Sequence, residues 1–198
     1  MRTPTLVLAS LSPRRSEILA GLGLAFEVEP ADIDETRLSG EKPDDYAMRV
    51  ARAKAAARGA SGALVLAADT IVVIDGEVLT KPRNPAYARQ MLAALAGREH
   101  EVLTAVALAD DDARTVSALE RSRVRIASMT PEEIAWYVDT GEPLDKAGSY
   151  AIQGLGSLFV ETVDGNYSNV VGLPVPAVYR LFQELGYSLM DFRAQQSG

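Results

Sequence analysis

Short apolar runs alternate with amphipathic stretches along almost the whole chain. Thr5-Leu6-Val7-Leu8-Ala9 has the look of a buried strand. It leads into Ser10-Leu11-Ser12-Pro13, where Ser12 is a candidate N-cap and Pro13 takes the favoured first helical position. The helix that follows puts Ile18, Leu19 and Leu22 on one face and stops near Gly21 or Gly23. A second helix is expected from about Asp44 or Asp45 to Arg58. Its small and apolar stripe is Ala47, Val50, Ala51 and Ala55, and Lys54 falls on that same side.

Ala63 to Ala68 is a second buried strand, and Ile71–Ile74 and Glu77–Leu79 flank Asp75-Gly76, a strong hairpin signal. Asn84-Pro85 starts a helix carrying Tyr87, Met91 and Leu95 at helical spacing, ended by Gly97. Two strands follow, about Glu101–Ala109 and Thr115–Ala127, joined by the acidic turn Asp110-Asp111-Asp112. Thr130-Pro131-Glu132-Glu133 is a capping box opening a helix through Val138. Ser157–Val163 is a strand, and a last helix near Val175–Leu185 carries Val178, Leu181, Phe182 and Leu185. Helices and strands alternate irregularly with hairpins among them, so the expected class is mixed α/β with a partly antiparallel sheet. With no repeat and no Pro/Ser-rich linker, a single domain over 1–198 is expected, compatible with two lobes around a cleft; residues 194–198 look like a frayed tail.

Composition removes several function classes. A net charge of −7 argues against an extended basic face for nucleic acid, where many phosphates must be neutralised. The absence of cysteine excludes disulfides and thiolate metal sites, and the single His100 makes a histidine metal centre or a Ser-His-Asp triad improbable. The first residues are too short for a signal peptide, and no apolar run approaches the ~20 residues needed to cross a bilayer. The expected location is the cytoplasm, without a membrane partner, and a homodimer is compatible with the sequence.

Four segments can carry chemistry. In Ser10–Arg15 a strand ends and a helix begins, so free backbone N–H groups point toward any anion, and arginine offers a fork matching phosphate oxygens. Arg14 and Arg15 oppose the helix dipole there, an inconsistency that a bound phosphate would relieve. The bland alternative is a capped surface helix with solvated arginines. Asp69-Thr70 interrupts an otherwise apolar stretch; a carboxylate there needs a partner, hydrogen bonds or a metal, unless it faces solvent at a bulge or strand end. Taken alone, Lys54 reads as a snorkelling lysine, Lys81-Pro82 is ambiguous, and Glu35 in Asp32-Ile33-Asp34-Glu35-Thr36 is a candidate divalent-cation ligand or a solvated acid. Finally, Asp145 to Gly156 contains glycines that permit close backbone approach to a ligand, and Gln153, whose amide both donates and accepts as base recognition requires.

In order, these segments resemble the Maf family of nucleotide pyrophosphatases. The matching pieces are Leu8–Arg15, Asp32–Thr36, Ala67–Thr70, Lys81-Pro82-Arg83, Asp145–Gly148, Ile152-Gln153-Gly154 and Tyr167–Pro174, spanning about residues 5 to 186. The resemblance implies a fold like that of inosine triphosphate pyrophosphatases, with an elongated twisted mixed sheet, flanking helices and a central cleft. It also implies hydrolysis of a nucleoside triphosphate to the monophosphate and pyrophosphate with a divalent cation, Mg or Mn. Asp69 then matches the catalytic acidic residue; Ser10, Arg14, Lys54 and Lys81 match the groups holding the triphosphate; Arg15, Thr70 and Gln153 match the positions linked to substrate choice. The branch acting on 7-methyl-GTP tends to carry Trp, Gln and Glu at that triplet, whereas Arg, Thr and Gln resemble the branch acting on dTTP and UTP. Ala53 and Thr80 depart from the glutamate and the glycine or glutamate common in relatives.

The resemblance leads to a scheme in which a metal held partly by Asp69, with Glu35 as a candidate second ligand, bridges phosphate oxygens while Asp69 activates or orients water for attack on the α-phosphorus. Arg14, Lys54 and Lys81 offset the charge of leaving pyrophosphate. Removal of modified pyrimidine nucleotides is the expected purpose. The rivals are a 7-methyl-GTP pyrophosphatase and a non-enzymatic, nucleotide-binding regulator of septum formation.

Overall fold

The computed structural model describes residues 4–57, 62–112 and 114–194. The chain folds into two compact units. The first takes the chain up to Asp69, Thr104–Glu120 and Gly172 onward; the second takes Thr70–Leu103 and Arg121–Val171.

In the first unit, β1 (Thr5–Leu8) pairs in parallel with β2 (Glu27–Val28) on one side and on the other with the start of β3 (Ala63–Ile74), Leu6 opposite Leu64 and Leu8 opposite Leu66. Strands buried on both faces need near-continuous apolar sequence, which both runs have. α1 (Pro13–Gly21), α2 (Pro43–Ala56) and α6 (Val175–Glu184) belong to this unit. Leu19 of α1 and Ala177, Val178, Leu181 and Phe182 of α6 pack with Leu6, Leu8, Leu64, Leu66, Val106 and Leu108 into one core.

The second unit contains the rest of β3 and β4 (Glu77–Leu79), paired antiparallel with Val72 opposite Leu79. Asp75 and Gly76 both take positive φ, 52° and 80°, as a tight two-residue hairpin turn demands. α3 (Pro85–Leu95), α4 (Pro131–Asp139), β7 (Val160–Asp164) and α5 (Tyr167–Val171) complete it. Its own core joins Val72, Leu92, Leu95, Val102, Val124, Ile134 and Tyr137. β3, β5 (Glu99–Ala109) and β6 (Thr115–Ile126) each run from one unit into the other. Among the described residues the sheet has seven strands in the order β2-β1-β3-β5-β6-β7, with β4 on β3. Parallel and antiparallel pairs together make it the mixed α/β class expected.

Several local expectations need correction. Ser12 stands at the N-cap of α1, but its side chain caps nothing; its backbone N–H instead donates to Ser10 Oγ. The two apolar runs either side of Asp69 are one continuous strand, so Asp69 is not at a strand end. Tyr87 is exposed on α3 beneath the Arg83 guanidinium, while Met91 and Leu95 are buried. The strand expected from Ser157 begins only at Val160, because residues 154–159 form a 3-10 turn, and β2 and α5 were not anticipated. The capping box at Thr130 forms as read, with Glu133 reciprocating. Arg58 and residues 195–198 of the expected tail lie outside the described residues. No helix among the described residues is long and apolar enough to cross a membrane.

The lone histidine lies in the second unit. His100 Nε2 lies 2.8 Å from the Tyr150 hydroxyl, and burial pulls its pKa from 6.5 to about 4. The unfolded chain therefore takes up this proton near pH 6.5, but the folded chain does not until about pH 4. The contribution is intact above pH 6.5 and is lost as pH falls through that window, about 3 kcal/mol by pH 4. His100→Gln should accordingly show a smaller drop in urea midpoint between pH 7.5 and pH 4.5 than the parent; equal drops would assign the pH dependence elsewhere.

Candidate active site

The end of β1 and the start of α1 bring Ser10 and Arg15 together. Arg15 is 8% exposed, and its guanidinium donates from Nε to the Gly172 carbonyl at 2.8 Å and from Nη1 to Ser10 Oγ and the Ala68 carbonyl, both at 2.9 Å. Burial lowers its pKa, Asp69 and Glu35 oppose that shift, and Arg14 reinforces it. A cation at a helix N-terminus is thus accommodated by carbonyl oxygens of the protein itself, not only by the anion the sequence called for. Ser10 Oγ accepts from Arg15 and from the Ser12 backbone, so what it has left for a ligand is its hydroxyl proton. Arg14 is half-buried in the first turn of α1.

Asp69 sits mid-strand in β3 and is 8% exposed. Its Oδ1 lies 3.0 Å from Lys54 Nζ, and the same ammonium is 2.9 Å from Glu35 Oε2. Lys54 does not snorkel to solvent: its side chain is 11% exposed and lies between two carboxylates. The helical spacing that set Lys54 on the apolar face of α2 is what turns it inward. Glu35 itself is exposed, but its loop is fastened by residues the sequence reading missed. The Tyr46 hydroxyl donates to the Glu35 carbonyl, Arg49 donates to the Thr36 carbonyl, and Asp34 Oδ1 accepts from the Thr36 N–H. Burial raises the Tyr46 pKa, with the Asp69 and Glu35 charges adding to it. The signal was present: Tyr46, Val50 and Lys54 recur every fourth residue on one face of α2.

Thr70, Lys81 and Gln153 fall in the second unit. Thr70 is half-buried in β3, Lys81 is exposed just beyond β4, and Gln153 is exposed ahead of the 3-10 turn Gly154–Phe159. The glycines around Gln153 serve the protein before any ligand. A Cβ at Gly154, where φ is +68°, would come within 2.5 Å of Glu142 Oε2. One at Gly156 would lie 2.3 Å from the Ala151 carbonyl oxygen and 2.4 Å from the Tyr137 hydroxyl. Lys146 donates to the Glu142 carbonyl and to Asp145, which makes the Asp145–Gly148 segment an internal brace.

A family model described as Maf-like protein matches residues 5–185. The chain belongs to the Maf family. Among curated Maf relatives, it is 56% identical over 189 residues to a protein named dTTP/UTP pyrophosphatase from Anaeromyxobacter dehalogenans (strain 2CP-1 / ATCC BAA-258), covering 94% of this chain and 96% of that one. Proteins of the same name from Syntrophomonas wolfei and Shigella sonnei are 48% and 47% identical, covering 92% and 98% of this chain and 98% and 99% of theirs. Among solved structures, the Staphylococcus aureus Ham1 protein is similar over 96% of this chain and 93% of its own at 14% identity, with a TM-score of 0.48. That overlap is too loose to carry an inference; the fold class rests on the strand pairing itself.

Proposed function

We propose that this Maf chain hydrolyses dTTP and UTP to the nucleoside monophosphate and pyrophosphate. The observation that carries the reading is the buried Asp69–Lys54 pair, extended by Glu35, in a chain matched almost end to end by relatives of that name. A carboxylate in mid-strand costs stability unless it is paired, and an enzyme has a use for one beside cationic groups.

In this reading Asp69 accepts a proton from water as its oxygen attacks the α-phosphorus. The bond from the α-phosphorus to the bridging oxygen breaks, and pyrophosphate leaves. Lys54, Arg14 and Lys81 offset the charge that develops on it, and the Ser10 hydroxyl donates to a phosphate oxygen. Arg15, Thr70 and Gln153 choose the nucleotide; the N3–H and O4 of a pyrimidine suit an amide that can donate and accept.

Among the described residues no group of three or more His, Cys, Asp or Glu side chains is placed to hold a metal ion. Asp69 and Glu35, sharing one ammonium, are two hard oxygen donors. They fit an ion such as Mg or Mn that takes one or two carboxylates and completes its shell with phosphate oxygens and water. Bound there with the triphosphate, it would polarise the phosphoryl group and neutralise charge.

Pyrophosphate release from dTTP, UTP and 7-methyl-GTP, each as sole substrate with Mg, tests the reading. The first two should turn over at least about tenfold more efficiently than the third, a margin within reach of hydrogen-bonding specificity. Preference for 7-methyl-GTP would move the chain to the other branch, and no release from any triphosphate would favour a nucleotide-binding regulator.

A further inference from the structure

We infer that Glu142 is the positioning residue that sets which base Gln153 accepts. Its carboxylate clamps the backbone just beyond Gln153. Oε1 accepts from the Gly156 N–H at 2.9 Å and from the Tyr137 hydroxyl at 2.8 Å; Oε2 accepts from the Leu155 N–H at 3.0 Å. The Tyr137 hydroxyl in turn accepts from the Ala151 N–H at 3.1 Å. One carboxylate and one phenol thus hold the chain on both sides of Gln153, at residues 151, 155 and 156. An ionised carboxylate, with acceptors alone, receives all three donors at once.

The clamp is itself fixed. Glu142 opens a 3-10 turn behind Gly141, whose φ is 81°; its N–H donates to Thr140 Oγ1, and its carbonyl accepts from Lys146 Nζ at 2.6 Å. Burial works against the charged carboxylate, yet the N–H groups of Leu155 and Gly156, the Tyr137 hydroxyl and Lys146 hold its pKa below the ordinary range. Gly154 and Gly156 complete the fit, since a side chain at either would occupy the space of Glu142 or of Tyr137 and Ala151. Gln153 has an exposed, many-rotamer side chain, so what restricts it is the direction in which its backbone presents it. Glu142 controls that direction without touching substrate.

This inference rests on the proposal that the chain hydrolyses dTTP and UTP and that Gln153 contacts the base. Its test is a double-mutant cycle with Glu142→Gln and Gln153→Ala, read as the ratio of kcat/KM for UTP to that for CTP. Glu142→Gln keeps the shape but faces two backbone N–H groups with one carbonyl oxygen. The ratio should fall roughly tenfold through a raised KM for UTP, and adding Glu142→Gln to Gln153→Ala should change it no further. A merely structural role would lower both substrates alike and leave the ratio intact; that result overturns the inference while the reading of Gln153 stands. If Gln153→Ala also leaves the ratio unchanged, or the parent does not hydrolyse UTP, the reading of the site fails and the inference with it. Should Glu142→Gln fail to fold, Tyr137→Phe removes one donor from Oε1 and the acceptor of Ala151. It should shift the ratio in the same direction by a smaller factor, and an unchanged ratio overturns the inference.

Discussion

Asp69→Asn is expected to lower kcat for dTTP by at least about 100-fold with little change in nucleotide affinity. Asparagine keeps the shape of the side chain in β3 but cannot take a proton from water. The substitution is informative because the fold should survive it. Losing one member of a buried ion pair is ordinarily costly, since the other charge is left stranded. Here Lys54 Nζ keeps Glu35 at 2.9 Å as a second carboxylate. The thermal midpoint should therefore move by only a few degrees, as for a change of about 1 kcal/mol. Single-turnover pyrophosphate release, paired with nucleotide binding by calorimetry, checks both halves. A kcat within tenfold of the parent would remove Asp69 from the chemistry.

Gly156→Ala should cost about 3 kcal/mol or more, among the largest single-site effects in the chain. The new Cβ would meet the Ala151 carbonyl oxygen at 2.3 Å, a backbone atom in the same segment that cannot swing aside. Gly154→Ala is the comparison. There the nearest atom is Glu142 Oε2 at 2.5 Å, the end of a side chain, and the cost is backbone strain at φ +68° together with a disturbed clamp. Urea unfolding should rank Gly156→Ala well below Gly154→Ala. The opposite ranking would mean that the packing around Ala151 is not what restricts position 156.

The local code was legible wherever one short segment carries both the cause and its effect. The Asp75-Gly76 turn, the Thr130 capping box and the apolar runs of β1 and β3 fall where hydrogen-bonding and burial rules put them. Less legible were elements with weak local signals, such as the two-residue β2, whose pairing with β1 supplies the stability its own sequence lacks. The turn at residues 154–159 deceived for a related reason. The expected strand opens at Ser157 and takes in Leu158, yet Leu158 is exposed, and Glu142 holds the backbone at Leu155 and Gly156 in a tight turn.

For the site, sequence alone determined the inventory: a helix N-terminus with two arginines, a carboxylate in an apolar run, a lysine on an apolar helix face, an amide among glycines. It also carried the membership in the Maf family, because ordered motifs survive along nearly the whole chain. Tertiary structure decided the partners. That Lys54 meets both Asp69 and Glu35, that Arg15 is held by carbonyls of Ala68 and Gly172, and that Glu142 braces the turn beyond Gln153 are contacts between residues 13 to 157 positions apart. A buried polar group must be satisfied by something. Composition shows that the need exists, but only the packing of strands and helices shows which distant atom meets it.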